Sequence, residues 1–164
     1  MKNTKYLSKA GMIAAIYVVL VLVEIPFGQL AFGPIQVRIA EALVILPLLE
    51  SAAIPGVFVG CLIANLILTF SSGYGLIDVI GGSLVTLISA YLTSKMPNRI
   101  LGVLPPVILN ALIVSVWVSS FFPEMSYWAV AAGIGSGELI AVGLFGNIVL
   151  YAYNRMKKSG YDKF

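Results

Sequence analysis

Apolar residues come in long uninterrupted runs along this chain, and the breaks between them fall at glycine, proline and charge. Reading those breaks as boundaries leaves six runs, at roughly 7–24, 35–50, 52–70, 75–94, 101–122 and 127–154. A helix that crosses the hydrocarbon core of a bilayer needs ~20 mainly apolar residues. The second run is short, and Pro47 and Pro55 bracket its junction with the third. Connections are brief, so neighbouring helices should run antiparallel. The pattern predicts an all-α membrane protein: one domain over residues 1–164, built as a compact bundle of six transmembrane helices with almost no mass outside the bilayer.

Composition leads to the same class. Of the 164 residues, 60% are hydrophobic and 10% charged, with a mean hydropathy of +1.01. A soluble domain carries roughly 25% charged residues, and only lipid can solvate so much apolar surface. Lys2, Lys5 and Lys9 precede the first run in the manner of a signal peptide. The run is long, no small-residue cleavage site follows it, and further runs continue to the end, which predicts a retained helix.

Basic residues then set the orientation. Lys2, Lys5 and Lys9 lie before the first run, Lys95 and Arg99 between the fourth and fifth, and Arg155, Lys157, Lys158 and Lys163 after the sixth. With six spans all nine fall on one side, which the positive-inside bias makes cytoplasmic. Both termini are therefore expected inside the cell, in the plasma membrane. The net charge of +3 reflects topology, and no nucleic-acid partner follows from it.

The polar residues inside the runs carry the candidate chemistry. Arg38 and Glu41 stand three apart in the second run, spaced to pair on one helix face. A charge at the centre of a membrane helix costs ~2.5–3.5 kcal/mol, so such residues should face the bundle interior or a wet cavity. Glu138 lies well inside the sixth run, within Gly133-Ile-Gly-Ser-Gly137-Glu138, with no basic neighbour in sequence. It must be protonated, paired with Arg38 across the bundle, or bonded to a ligand. Ala129, Gly133 and Gly137 repeat at the small-xxx-small spacing that lets helices approach closely, and they also leave backbone open to a cavity. Asn110 can glue helices or read a ligand edge, Asn65 reads as glue, and Trp117 can stack on a planar ligand or pack in the core. Gln36 and Asp78 lie near the outer ends. Most acids and buried amides fall in the outer half, which predicts a pocket open to the outside. At the inner end of the first helix, Ala10/Ala14 and Gly11/Ala15 are two overlapping small-xxx-small pairs.

Absences narrow the class further. There is no histidine and one cysteine, Cys61, which leaves no disulfide framework and no thiolate or imidazole metal site. No metal or cofactor is expected. No phosphate-binding loop is present to power transport, and no nucleophile–base pair marks an intramembrane enzyme. The two halves show no evident inverted repeat of the kind that builds free-standing carriers. A non-enzymatic binding subunit driven by partners fits these absences.

The stretch Phe32-Gly-Pro-Ile-Gln-Val-Arg38-Ile-Ala-Glu41-Ala-Leu-Val-Ile-Leu-Pro47 resembles the signature of the queuosine-precursor transporter (QueT) family. Gly60-Cys-Leu-Ile-Ala-Asn65, Asp78-Val-Ile-Gly-Gly-Ser and Gly137-Glu138-Leu-Ile support the likeness, which spans essentially the whole chain. Such proteins are similar to the substrate-binding S-components of energy-coupling factor (ECF) transporters. The resemblance implies six helices, cytoplasmic termini and a vitamin-like substrate, here queuine or another 7-deazaguanine. It implies as partners a transmembrane coupling protein, docked on an Ala-x-x-x-Ala patch, and two cytoplasmic ATPases. Ala10 and Ala14 match that patch, with Gly11 and Ala15 a shifted alternative. Delivery would occur by toppling of the loaded bundle. Residue chemistry then assigns Glu138 or Glu41 to the donor edge of the ligand, Asn110, Gln36 or Arg38 to its carbonyl, and Trp117 or an outer-loop aromatic to the ring, with Asp78 completing the set. Two alternatives stay open: an S-component for thiamine, riboflavin or another vitamin, and a stand-alone carrier in which Glu138 is a proton switch.

Overall fold

The computed structural model describes residues 2–72 and 74–160. Lys163 lies outside the described residues, as does the side chain of Lys2. The described chain forms six main helical segments, with a single short turn of helix at Gln29–Phe32 between the first two, and no strand among the described residues. They are Lys2–Glu24, Ile39–Leu48, Ala53–Ser72, Asp78–Thr93, Arg99–Phe121 and Tyr127–Lys158, called here the first to sixth helices. The first, fifth and sixth are long and apolar enough to cross a membrane alone, and the other three are shorter apolar helices.

The second helix departs from expectation. Instead of an α-helix over 35–50, residues 36–38 are irregular, Arg38 is extended (φ −95°, ψ 98°), and Ile39–Leu48 winds as a 3-10 helix. A 3-10 helix rises ~2.0 Å per residue, so ten residues reach ~20 Å where an α-helix would reach ~15 Å. The short run thereby gains length, and the irregular stretch before it completes the traverse. Every residue from Ala40 to Pro47 is buried, because the first, third, fourth and sixth helices surround this element. It is the central pillar.

An irregular backbone inside a membrane bundle must find hydrogen-bond partners within the protein. Glu24, the last residue of the first helix and 2% exposed, accepts from the Ile39 amide. The acid thus caps the first turn of the 3-10 helix, where backbone N–H groups have no partner of their own.

The first and third helices pack closely. A side chain at Gly56 would meet the Ala10 carbonyl, and one at Gly60 the Ala14 carbonyl and Tyr17. Two apolar clusters result. One gathers Tyr17, Val21, Ile45, Val57 and Leu68 around the pillar. The other joins Val85, Val114, Trp117, Val130 and Ile134. The exterior is also apolar, with Leu7, Val19, Leu66, Ile80, Val116 and Leu144 all exposed, as a lipid-facing surface requires.

Both ends of the described chain meet at one end of the bundle. Glu50 accepts from Lys9 Nζ at 2.8 Å and from the Tyr153 hydroxyl at 2.7 Å, tying the first helix, the 48–53 turn and the sixth helix together. Arg99 and Arg155 share a cleft at this end. Lys9, Arg99, Arg155 and Lys158 are thereby gathered at one end. Burial works to raise the Glu50 pKa, but hydrogen bonds from Lys9, Tyr153 and the Ala52 amide outweigh it and hold the carboxyl below its usual range. A depressed carboxyl stabilises the fold above its unfolded pKa, and that contribution disappears as pH falls through the folded value. Replacing Glu50 with Gln should lower the thermal midpoint slightly at pH 7, by at most about 1 kcal/mol of stability for a rim ion pair. The difference from the unmodified protein should vanish on acidification below pH ~4. Melting curves across pH measure it, and a gap that persists in acid would show that Glu50 acts otherwise.

Candidate solute-binding site

Between the two apolar clusters, in the half of the bundle away from the basic end, polar side chains converge on one enclosed cavity. Gln36, Arg38 and Glu41 reach it from the second helix and the stretch before it. Asp78 comes from the fourth helix, Asn110 from the fifth and Glu138 from the sixth. Six of the seven residues predicted to bind ligand therefore share one chamber. Trp117 stands behind it: its indole N–H donates to Asp78 Oδ1 at 3.2 Å and its ring lies against Gly81.

Helix irregularity places these groups. Asp78 opens a π-helical turn over Asp78–Gly82, Asn110 opens another over Asn110–Val114, and Glu138 immediately precedes a third over Leu139–Phe145. A π turn inserts an extra residue, which rotates the following face by ~100° and leaves backbone carbonyls free. The Asn110 side-chain amide donates to the Pro106 carbonyl at 3.0 Å and to Glu138 Oε1 at 3.1 Å.

The glycines of the sixth helix serve this site in an unexpected way. The atoms nearest to Gly133 and Gly137 belong to irregular backbone and not to a helix. A side-chain carbon at Gly133 would overlap the Pro34 carbonyl, and one at Gly137 the Gln36 carbonyl. Their bare faces receive the irregular backbone at 34–37, which in turn delivers Gln36 and Arg38 to the chamber. Ala129, the third member of the small-residue series, is exposed.

Arg38 and Glu41 form no ion pair with each other. With Arg38 in extended backbone, the three-residue helical spacing no longer aligns them. The Arg38 guanidinium instead donates to Asn65 Oδ1 and sits 5.8 Å from the Phe32 ring centroid. Asn65 also donates to the Asp78 carbonyl at 2.9 Å, acting as the glue expected of it. Glu41 accepts from the Tyr17 hydroxyl. Each charged group keeps one unused position: Arg38 Nε and Glu41 Oε2 are buried and lack a partner among the described residues. Leaving such groups unsatisfied costs about 1–3 kcal/mol each, which a matching ligand would recover.

Two residues at the site gave no signal in the sequence: Thr86, which lines the chamber, resembles an ordinary packing residue, and Tyr17, which holds Glu41, is a tyrosine in an apolar helix. Tyr74, one of the outer-loop aromatics, also lines the chamber. Tyr74 in fact closes the outer side of the chamber. Its hydroxyl donates to the Phe32 carbonyl at 2.7 Å and its ring meets Phe121 edge-on at 5.0 Å. The cavity so enclosed is about 20 Å³, room for about one water, whereas small-molecule sites span about 300–1,000 Å³.

An all-α bundle with a lipid-facing apolar exterior and a sealed, charged interior chamber has the make-up of a membrane transporter. The chain belongs to the QueT transporter family, whose model matches residues 7–155. It is thus a multi-pass protein of the plasma membrane, and the family points to a queuosine precursor as its solute. Neither the curated proteins nor the solved structures contain a match to this chain.

The Gly137 contact yields a test. Gly137→Ala forces its new methyl into the Gln36 backbone, so the stretch carrying Gln36 and Arg38 must shift. Overpacking of this kind costs about 1–3 kcal/mol. Solute binding should fall at least tenfold with the bundle still folded, read by thermal melting and equilibrium binding side by side. Unchanged binding would show that this backbone contact does not position the chamber.

Proposed function

We propose that this chain is the substrate-binding subunit of an energy-coupling factor importer, taking up queuine or a related 7-deazaguanine. The observation that carries the reading is the chamber itself: three carboxyl side chains, Glu41, Asp78 and Glu138, around one guanidinium, Arg38. That balance favours a ligand that donates more hydrogen bonds than it accepts. A guanine-like edge presents two adjacent N–H donors, which a carboxylate accepts side by side, beside a carbonyl oxygen that Arg38, Gln36 or Asn110 can meet. Glu41 Oε2 and Arg38 Nε supply one free acceptor and one free donor for such an edge. Trp117, engaged by Asp78, supports the site by holding that carboxylate.

Entry requires the closed chamber to open, and the Tyr74–Phe32 closure over it is the outer barrier that must part. The basic end, with both termini, faces the cytoplasm under the positive-inside bias. A bundle without an energy source of its own is suited to toppling, in which a coupling protein driven by two ATPases turns the loaded subunit inward. On the first helix, Ala14 is 6% exposed and its backbone meets the third helix, whereas Gly11 and Ala15 are exposed. The free small-residue face thus favours the Gly11/Ala15 register for the coupling protein.

Glu138 also supports a second reading, a stand-alone proton-coupled carrier, because this buried acid has an amide and no cation as its direct partner. Uptake by proteoliposomes containing this chain alone would favour that reading over the importer.

Replacing Glu138 or Glu41 with Gln should weaken 7-deazaguanine binding more than tenfold, since a hydrogen bond to a charged group is worth about 1.5–3 kcal/mol. Isothermal titration of both variants measures this, and unchanged affinity would remove the residue from the site. Separately, a coupling protein and two ATPases should copurify with the chain, and Gly11→Leu with Ala15→Leu should abolish that association while leaving solute binding intact. Binding lost together with association would place the first-helix face in fold maintenance instead.

A further inference from the structure

We propose that the cleft at the basic end of the bundle is a binding site for the headgroup of an anionic phospholipid. The cleft is about 850 Å³ and lies between the start of the fifth helix and the last turns of the sixth, floored by Leu48 and Leu150. Arg99, Arg155 and Lys158 line it, and no acidic residue does. None of the three forms an ion pair among the described residues. Glu50, the acid at this end, is engaged by Lys9 and Tyr153.

The positive-inside bias accounts for cations at this end of the bundle, but not for their convergence on one concave site. Lys95 and Lys157 share the bias and do not line the cleft; Lys95 lies over the Tyr91 ring at 5.2 Å. A phosphodiester at headgroup level would accept paired hydrogen bonds from an arginine fork and a further one from Lys158. Asn98 and Asn154, also in the lining, offer amides to a hydroxylated headgroup. A zwitterionic lipid would bring an ammonium group into a site without a carboxylate to receive it. Tyr151 of the lining is exposed, as are Ile100 and Ile148, sequence neighbours of the lining residues Arg99 and Asn147, an apolar surface along which acyl chains can run. Basic pockets between helices at this level suit anionic headgroups, at about 1 kcal/mol for each Lys or Arg near the surface.

The test uses the full chain in micelles containing equal amounts of phosphatidylglycerol and phosphatidylcholine, with bound lipid counted by native mass spectrometry. The unmodified protein should retain one phosphatidylglycerol in at least about fivefold preference. R99Q with R155Q should remove that preference, and K95Q with K157Q, which deletes the same charge outside the cleft, should keep it. Equal retention of both lipids by the unmodified protein overturns the proposal without any variant. Equal loss in the two double variants also overturns it, since general charge would then be responsible. Displacement of the lipid by millimolar inorganic phosphate would assign the cleft to a soluble anion and overturn the lipid reading.

Discussion

A guanidinium inside an apolar bundle has to be surrounded by acceptors, and those acceptors are themselves charged or polar groups that must be held in place. Arg38 sets this requirement here. Asn65, the ring of Phe32 and the nearby carboxyl groups of Glu41, Asp78 and Glu138 all lie where they do because five of the six helices turn a polar residue toward the same interior point. Burying charge is justified only when the geometry satisfies it. In this chain the satisfaction is incomplete, with one donor and one acceptor left over, and an incompletely satisfied chamber is suited to receive a solute.

The backbone solves a second problem in the same place. Arg38 reaches the interior because the chain before it is not helical, and a non-helical chain needs partners for its amides and room for its width. Glu24 provides the first by accepting from Ile39, and Gly133 and Gly137 provide the second by offering a helix face without side chains. The 3-10 pillar then carries the chain through the bundle with more rise per residue than an α-helix would allow. These devices lie far apart in sequence and act on one short stretch, so transport motions that displace residues 34–38 would change the chamber's polarity and its volume together.

The two ends of the bundle divide the work. One end holds the sealed chamber behind Tyr74 and Phe32, and the other gathers the cations, the Glu50 tie and an open cleft. The apolar cluster around Tyr17, Ile45 and Val57 lies between the chamber and the cleft. Changes at one end can reach the other chiefly through the pillar, which most of the remaining helices touch.

The class of protein was legible in the sequence, because apolar runs of membrane length and one-sided lysines and arginines have no soluble explanation. The main chamber residues were legible too: Arg38, Glu41, Asn110 and Glu138 are costly in an apolar run, and cost at that level points inward. Thr86 was not, nor were the supporting roles of Tyr17 and Glu24, since a hydroxyl or a helix-end acid carries no such cost until its neighbours are known. The second run shows where local pattern fails. Its composition suits an α-helix and its spacing suggests an Arg38–Glu41 pair, yet the crowding of four helices around it and the bare glycine face opposite select an extended entry and a 3-10 pillar. The same holds for the first helix, where Ala10/Ala14 and Gly11/Ala15 are equivalent as spacings and only the third helix, packed against one of them, distinguishes the two. Polarity within an apolar segment is a property of single residues and can be read along a chain; which face is occupied, and how the backbone winds to reach it, depends on partners distant in sequence and exists only in the folded bundle.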